Sequence, residues 1–213
     1  MINLALILIL SYLVGAIPTA IIASRILIHD DIRKYGSHNA GATNVFRVLG
    51  WKPALVVLLI DMGKGALATL VIARMHIEPI PINPQLISLL AGFFAIIGHV
   101  WTVFAGFKGG KGVGTAFGVC LGILPLPTLF AFGTWLLCML LTRIVSLSSI
   151  ISALAFPVLV WIQKSVLHRD TPDFLFWMSV GLGVFIVFTH RSNLKRLFRG
   201  EEKPLKFRKG AEK

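Results

Sequence analysis

The sequence predicts an all-α integral membrane protein of seven spans, with its N-terminus outside and its C-terminus in the cytoplasm. Three observations carry that reading. Of 213 residues, 56% are hydrophobic and 14% charged, and the mean hydropathy is +0.82. A water-soluble domain of this size has no interior large enough for so much apolar surface. The apolar residues fall into runs near the roughly 20 residues that cross a bilayer. The basic residues gather in the breaks between those runs, mainly in alternate ones.

The elements follow in order. The first span, 3–24, opens "MINLALILILSYLVGAIPTA" without the basic n-region of a cleaved signal, so it reads as a retained helix. Spans at 53–73 and 85–106 are next. The runs 112–124 and 127–142, separated by "PLP", are each short for a crossing. Two thin or tilted helices there complete a set of seven; a re-entrant hairpin is the alternative and leaves the sidedness of the other loops unchanged. Spans at 146–163 and 172–189 finish the single membrane domain, followed by a basic tail, 190–213. Cys120 and Cys138 lie inside apolar runs and read as packing residues, not as a disulfide or metal site.

Lysine and arginine decide the orientation. With these spans, seventeen lie in the loops 25–52, 107–111 and 143–145 and in the tail, against three on the opposite face, Arg74, Lys164 and Arg169. The richer face is the cytoplasmic one. The net charge of +12 then reflects membrane orientation and anionic headgroups, and no nucleic-acid partner is expected. Trp51 and Trp101 near the inner boundary and Trp161 near the outer one fit an aromatic belt.

Every chemically rich stretch falls on the cytoplasmic side. "GSHNAGATNVFRVLG" at 36–50 supplies neutral donors from Ser37, Asn39, Thr43 and Asn44 and the planar cation of Arg47. Its plain alternative is a helix-capping loop. "GFKGGKGVGT" at 106–115 places Gly109, Gly110 and Gly112 around Lys111 at a helix start, where glycines let backbone approach an anion. It lacks Walker spacing, because Gly112 follows Lys111. Its alternative is a turn with orienting lysines. His190 and Asn193 share a helical face at i, i+3, although a lone helix-end His also complements a dipole. Ser146, Ser148 and Ser149 open the sixth span and are cap candidates too. Asp61 and Lys64, inside the second span, read as a mutual pair facing the bundle.

The missing acids narrow the chemistry. Segments 36–50, 98–124, 142–152 and 190–200 contain no Asp or Glu. Hard divalent cations need carboxylate oxygens, so a Mg-dependent phosphotransferase and a CDP-alcohol-type transferase are disfavoured. What remains suits phosphate-bearing substrates, at least one of them lipidic, at membrane level.

The stretches "GSHNAGATNVFRVLG", "GHVWTVFAGFKGGKGVGTAFG" and "HRSNLKRLFRGEE" together resemble the three motifs of the bacterial acyl-phosphate:glycerol-3-phosphate acyltransferase family, the PlsY type. The resemblance implies a seven-helix inner-membrane enzyme, free of metal and cofactor. It would make lysophosphatidic acid and inorganic phosphate from acyl phosphate and glycerol 3-phosphate, the first step of phospholipid synthesis. By position, the resemblance implies Ser37, Arg47, Lys111, His190 and Asn193 as catalytic residues. It implies Ser37, Asn39, Gly41, Thr43, Asn44, Gly109, Gly110, Lys111 and Gly112 for acyl phosphate. For glycerol 3-phosphate it implies Arg47, Lys111, His190 and Asn193 with a serine of "SLSS", Ser146 or Ser149, and Glu201 is its structural acid. A functional link to the enzyme that makes acyl phosphate is implied as well. Ala40 and Thr102 stand where proline is common and Gly114 where alanine is usual, which bears on loop stiffness more than on chemistry.

No Ser-His-Asp set or G-x-S-x-G elbow is present, so a direct transfer without an acyl-enzyme is expected. The base is His190 or a substrate phosphate. A transporter or flippase for a phosphorylated metabolite is the competing reading, and it expects internal repeats and midplane polar sites that the sequence lacks. A lipid-binding scaffold would explain the basic tail but not the Ser/Asn loop.

Overall fold

The computed structural model describes residues 2–75 and 80–205, so part of the Pro-rich loop and tail residues 206–213 lie outside the described residues. It divides into two compact units, broken after Ile123. The first carries α1 (Ile2–Ala16), α2 (Thr19–Ile28), α3 (Ala42–Leu49), α4 (Trp51–Leu70), α5 (Pro84–Val100) and α6 (Val113–Ile123). The second carries α7 (Pro125–Thr142), α8 (Val145–Ser165), α9 (Asp173–Thr189) and α10 (Arg191–Phe198). Among the described residues there is no strand.

The expected first span is one apolar stretch but two helices. Pro18 has no N–H to continue α1, and the chain restarts with Ile21 and Ile22 donating to the Pro18 carbonyl. The "PLP" tripeptide is not a linker. Pro125 and Pro127 sit in the first turn of α7, where a missing N–H costs nothing.

By length and composition, five segments among the described residues are able to cross a membrane: Asn3–Ile28, Trp51–Arg74, Pro84–Ala105, Pro125–Thr142 and Val145–Ser165. Asp173–Thr189 and Arg191–Phe198, bent by 64°, count as a sixth when taken together. The expected run 112–124 becomes α6, with 11 residues. At 1.5 Å per residue it rises only about 16 Å, half of a hydrocarbon core.

Helix pairs in the first unit meet through small residues, as membrane helices do when backbones must approach closely. On the α4–α6 contact, a Cβ on Gly65 would strike the Thr115 carbonyl, and one on Gly118 the Met62 carbonyl. On α1–α5, Gly15 and Gly98 face Ala95 and Tyr12 carbonyls in the same way. We therefore expect Gly118→Ala to force α4 and α6 apart and cost about 1–3 kcal/mol. The readout is a lowered melting temperature in detergent; an unchanged one would show that the pair has slack.

In the second unit polar side chains serve as glue between α7 and α8. Trp135 Nε1 donates to Ser149 Oγ at 3.2 Å, and Ser152 Oγ to the Ala131 carbonyl at 2.7 Å. Outward from that seam, Leu137, Leu140 and Leu141 of α7 are exposed, as a lipid-facing surface requires.

Candidate functional site

In the first unit the two polar loops stand together. The loop before α3 is shaped by Asn44, whose side chain is 1% exposed. Its Oδ1 accepts the Ser37 N–H at 2.8 Å, and its Nδ2 donates to the Ile32 and Tyr35 carbonyls at 3.1 and 3.0 Å. Both N–H groups are therefore spent on backbone, and the amide acts as an internal brace. Asn44, expected among the acyl-phosphate ligands, is a loop anchor instead.

Arg33 ties this loop to the glycine loop. Its guanidinium forks onto Asp31, with Nε 3.0 Å from Oδ1 and Nη2 2.7 Å from Oδ2. Nη1 reaches the carbonyls of Ala105 and Lys108 at 2.9 and 3.1 Å. The Arg33 hydrogen bonds hold the Asp31 carboxyl below its ordinary range against a smaller opposing effect of burial. The sequence counted Arg33 only as an orienting charge.

With the scaffold bonded, the ligand-type side chains stand out. Ser37, Asn39 and Thr43 are half-buried, and their side chains make no hydrogen bond to protein among the described residues. Gly41 sits at the N-cap of α3, its carbonyl accepting from Asn44 N and Val45 N. Arg47 is exposed in the last turn of α3.

The glycine loop works differently from the expected amide cradle. Gly109 N donates to the Val100 carbonyl at 3.0 Å and Gly110 N to the His99 carbonyl at 3.1 Å, so both N–H groups cap the end of α5. They are lost to an anion. The two glycines instead allow close packing, since a Cβ on Gly109 would strike the His99 carbonyl and one on Gly110 the His99 ring. The anion-binding amides still on offer belong to the first turn of α6, which Lys111 and Gly112 (φ +82°) introduce. Lys111 is half-buried there.

The second unit brings Ser146 and Asn193 onto one acid, with His190 one turn before Asn193. Glu202 Oε1 accepts from Ser146 Oγ at 2.7 Å and Asn193 Nδ2 at 2.6 Å, and Oε2 from Arg196 Nε at 2.6 Å. Glu201, expected as the structural acid, is exposed; that place is taken by its neighbour. Only the next residue reaches back over α10, because Gly200 turns the chain with φ +68°. Burial pushes the Glu202 carboxyl up, but the bonds from Ser146, Arg196 and Asn193 outweigh it and leave it below its ordinary value. A depressed carboxyl stabilises the fold above the ordinary carboxylate range and loses that contribution as pH falls through its lowered value. Acid titration should therefore lower the melting temperature of wild type more steeply than that of Glu202→Gln; parallel curves would remove Glu202 from the balance.

His190, 3% exposed, places Nδ1 2.8 Å from the Ile186 carbonyl. A carbonyl only accepts, so Nδ1 carries a proton and Nε2 is the acceptor nitrogen of the neutral ring. Ser149 donates to the Val145 carbonyl at 2.9 Å while accepting from Trp135. It packs α7 on α8, so of the two serines it is Ser146 that shares an acid with Asn193.

The chain is similar throughout to known acyltransferases. The family model described as glycerol-3-phosphate acyltransferase matches residues 5–200. A glycerol-3-phosphate acyltransferase of Chlorobium phaeobacteroides (strain BS1) is 46% identical over 231 aligned positions, spanning 97% of this chain and 98% of the relative. One from Chlorobaculum tepidum is 44% identical over 228, with the same coverage. The crystal structure of PlsY, an integral membrane glycerol 3-phosphate acyltransferase, in its glycerol 3-phosphate form matches with a TM-score of 0.80 at 32% identity, over 95% of this chain and 96% of that one. Its lysophosphatidic acid form matches with a TM-score of 0.80 at 31% identity, over 96% of each.

Proposed function

The chain belongs to the glycerol-3-phosphate acyltransferase family, and from that premise we propose that its acyl donor is an acyl phosphate and its acceptor the sn-1 hydroxyl of glycerol 3-phosphate. The products are 1-acyl-glycerol 3-phosphate and inorganic phosphate, formed at the cytoplasmic face of a bacterial inner membrane. The seven-span topology, N-terminus outside, is part of this reading, with α6 as a short span. A functional link to an enzyme that makes acyl phosphate belongs to it as well.

One observation carries the reading. The polar loop spends Asn44 and Arg33 on its own shape and, among the described residues, keeps the side chains of Ser37, Asn39 and Thr43 without hydrogen bonds to protein, next to acid-free sequence bearing Arg47 and Lys111. Neutral donors with fixed cations and no carboxylate suit a phosphate ester or anhydride.

An acyl phosphate is a mixed anhydride, so its carbonyl is already activated and no acyl-enzyme is needed. Bringing two phosphates together is the harder task. A phosphate monoester carries about −1.5 to −2 near pH 7. At a few ångströms and reduced dielectric the repulsion amounts to several kcal/mol. Arg47, Lys111 and the first amides of α6 offset it. Ser37, Asn39 and Thr43 hold the donor phosphate, with Gly41 and Gly112 giving its oxygens room. His190, Asn193 and Ser146 orient the glycerol phosphate. The sn-1 oxygen attacks the acyl carbon, a new C–O ester bond forms, and the bond from acyl carbon to phosphate oxygen breaks. The hydroxyl proton passes to a substrate phosphate, whose second pKa of about 6 suits the role.

The decisive assay uses purified protein in detergent with palmitoyl phosphate and glycerol 3-phosphate, following lysophosphatidic acid and inorganic phosphate together. Equal amounts of the two products are expected without divalent metal. Equal or better turnover with palmitoyl-CoA would overturn the donor assignment.

A further inference from the structure

The expected Asp61–Lys64 pair forms, and it belongs to a larger buried network that ends at the glycine loop. Lys64 Nζ lies 2.8 Å from Asp61 Oδ1, 2.9 Å from the Ile17 carbonyl and 3.4 Å from His99 Nδ1. Thr19 Oγ1 donates to Asp61 Oδ1 at 2.5 Å. An ammonium only donates, so His99 Nδ1 accepts and a neutral ring carries its proton on Nε2. Asp61 Oδ1, at 3.6 Å from Nδ1, is beyond hydrogen-bond reach.

That leaves one donor unaccounted for. His99 is 8% exposed, and its Nε2 has no protein hydrogen-bond partner among the described residues. It faces a small recess lined by Thr19, Ala40, Thr102, Gly109 and Gly110, with room for one water-sized group. Gly110 has no Cβ because the ring nitrogen lies against it. The Nε2 position opens into this recess, which lies between Ala40 of one polar loop and the glycines of the other, so a proton there is placed to meet an acceptor entering it.

We propose that His99 is a further binding residue for the acyl donor, its Nε2–H donating to an oxygen of the acyl phosphate seated in this recess. The inference rests on the reading that these two loops hold the donor. The oxygen is a phosphate oxygen, charged from the outset, or the carbonyl oxygen, which gains charge on attack. The Asp61–Lys64 pair fixes the tautomer that points the proton toward it.

Kinetics test this with His99→Phe, which keeps the ring and deletes the donor, and His99→Gln, which returns an N–H near the Nε2 position. His99→Phe should raise KM for palmitoyl phosphate at least tenfold if the partner is a phosphate oxygen. If it is the carbonyl oxygen, kcat should fall at least tenfold. KM for glycerol 3-phosphate should not move in either case, and His99→Gln should return to within about threefold of wild type. His168→Phe, exposed and outside both clusters, serves as the neutral control. The wild-type protein gives a second readout free of folding defects: ¹⁵N-histidine spectra should show His99 protonated at Nε2 and shifting when a non-transferable palmitoyl phosphonate is added. Unchanged constants in His99→Phe, failure of Gln to rescue, or a proton on Nδ1 would overturn the proposal. Lys111→Gln separates the two levels. If it raises KM for the donor and His99→Phe has no effect, only the His99 assignment falls; if neither moves it, the donor site itself is misplaced.

Discussion

Neutralising Arg47 and Lys111 together, as Arg47→Gln with Lys111→Gln, should lower kcat/KM for palmitoyl phosphate by about a thousandfold while leaving the melting temperature near wild type. The size follows from the interaction type. A hydrogen bond to a charged group contributes about 1.5–3 kcal/mol, and each 1.36 kcal/mol of transition-state stabilisation is about tenfold in rate. Two such contacts give roughly 3–6 kcal/mol, and the repulsion between substrate phosphates grows as the acyl carbon and sn-1 oxygen close. The stability forecast rests on where the residues lie: Arg47 is exposed at the end of α3 and Lys111 half-buried beside the start of α6, neither inside a core cluster. The single variants should each lose one to two orders of magnitude. Arg47→Lys should recover only part of its share, because an ammonium supplies charge without the planar fork that grips two phosphate oxygens. Wild-type turnover in the double variant, or turnover that requires a divalent ion, would show that charge neutralisation is not what these loops do.

Charge type and spacing made much of this arrangement legible in advance. The apolar runs marked their helices because lipid-facing segments need continuous hydropathy, and Ser37, Asn39, Arg47, His190 and Asn193 lie on helix starts, helix ends and loops as anticipated. What failed was the part that depends on where an N–H or carboxylate points. Gly109 and Gly110 looked like an amide cradle because a GG pair frees backbone. Yet the chain folds back after α5, and the orphan carbonyls of His99 and Val100 at its end take both N–H groups first. Asn44 looked like a ligand, and its burial makes it a brace. Glu201 and Glu202 differ by one position, a difference that only the turn at Gly200 resolves. Arg33 and His99 carried no distinguishing signal at all. One sits in a charge-rich loop, the other alone at the end of an apolar run, and the contacts that give them their roles, Arg33 to Ala105 and His99 to Lys64, span 72 and 35 residues.

Asp61→Ala should be the most destabilising single change in the first unit. Lys64 is 4% exposed, and removing its carboxylate leaves an ammonium facing only the Ile17 carbonyl and His99 Nδ1. Breaking a buried ion pair from one side costs about 3–5 kcal/mol. For a protein of this size that is on the order of 10 °C in melting temperature. The paired variant Asp61→Leu with Lys64→Met removes both charges at similar volume and should recover most of the loss, since two desolvated charges contribute little net stability beyond what an apolar contact would. Activity should not recover with it. Without Lys64 nothing holds His99 Nδ1 as an acceptor, the ring is free to carry its proton on the wrong nitrogen, and handling of the acyl donor stays impaired at least tenfold. A double variant that regains stability and full activity together would mean the pair only holds helices in place. Stability regained alone, with the KM or kcat defect of His99→Phe, would mean that the charges are kept to orient one imidazole.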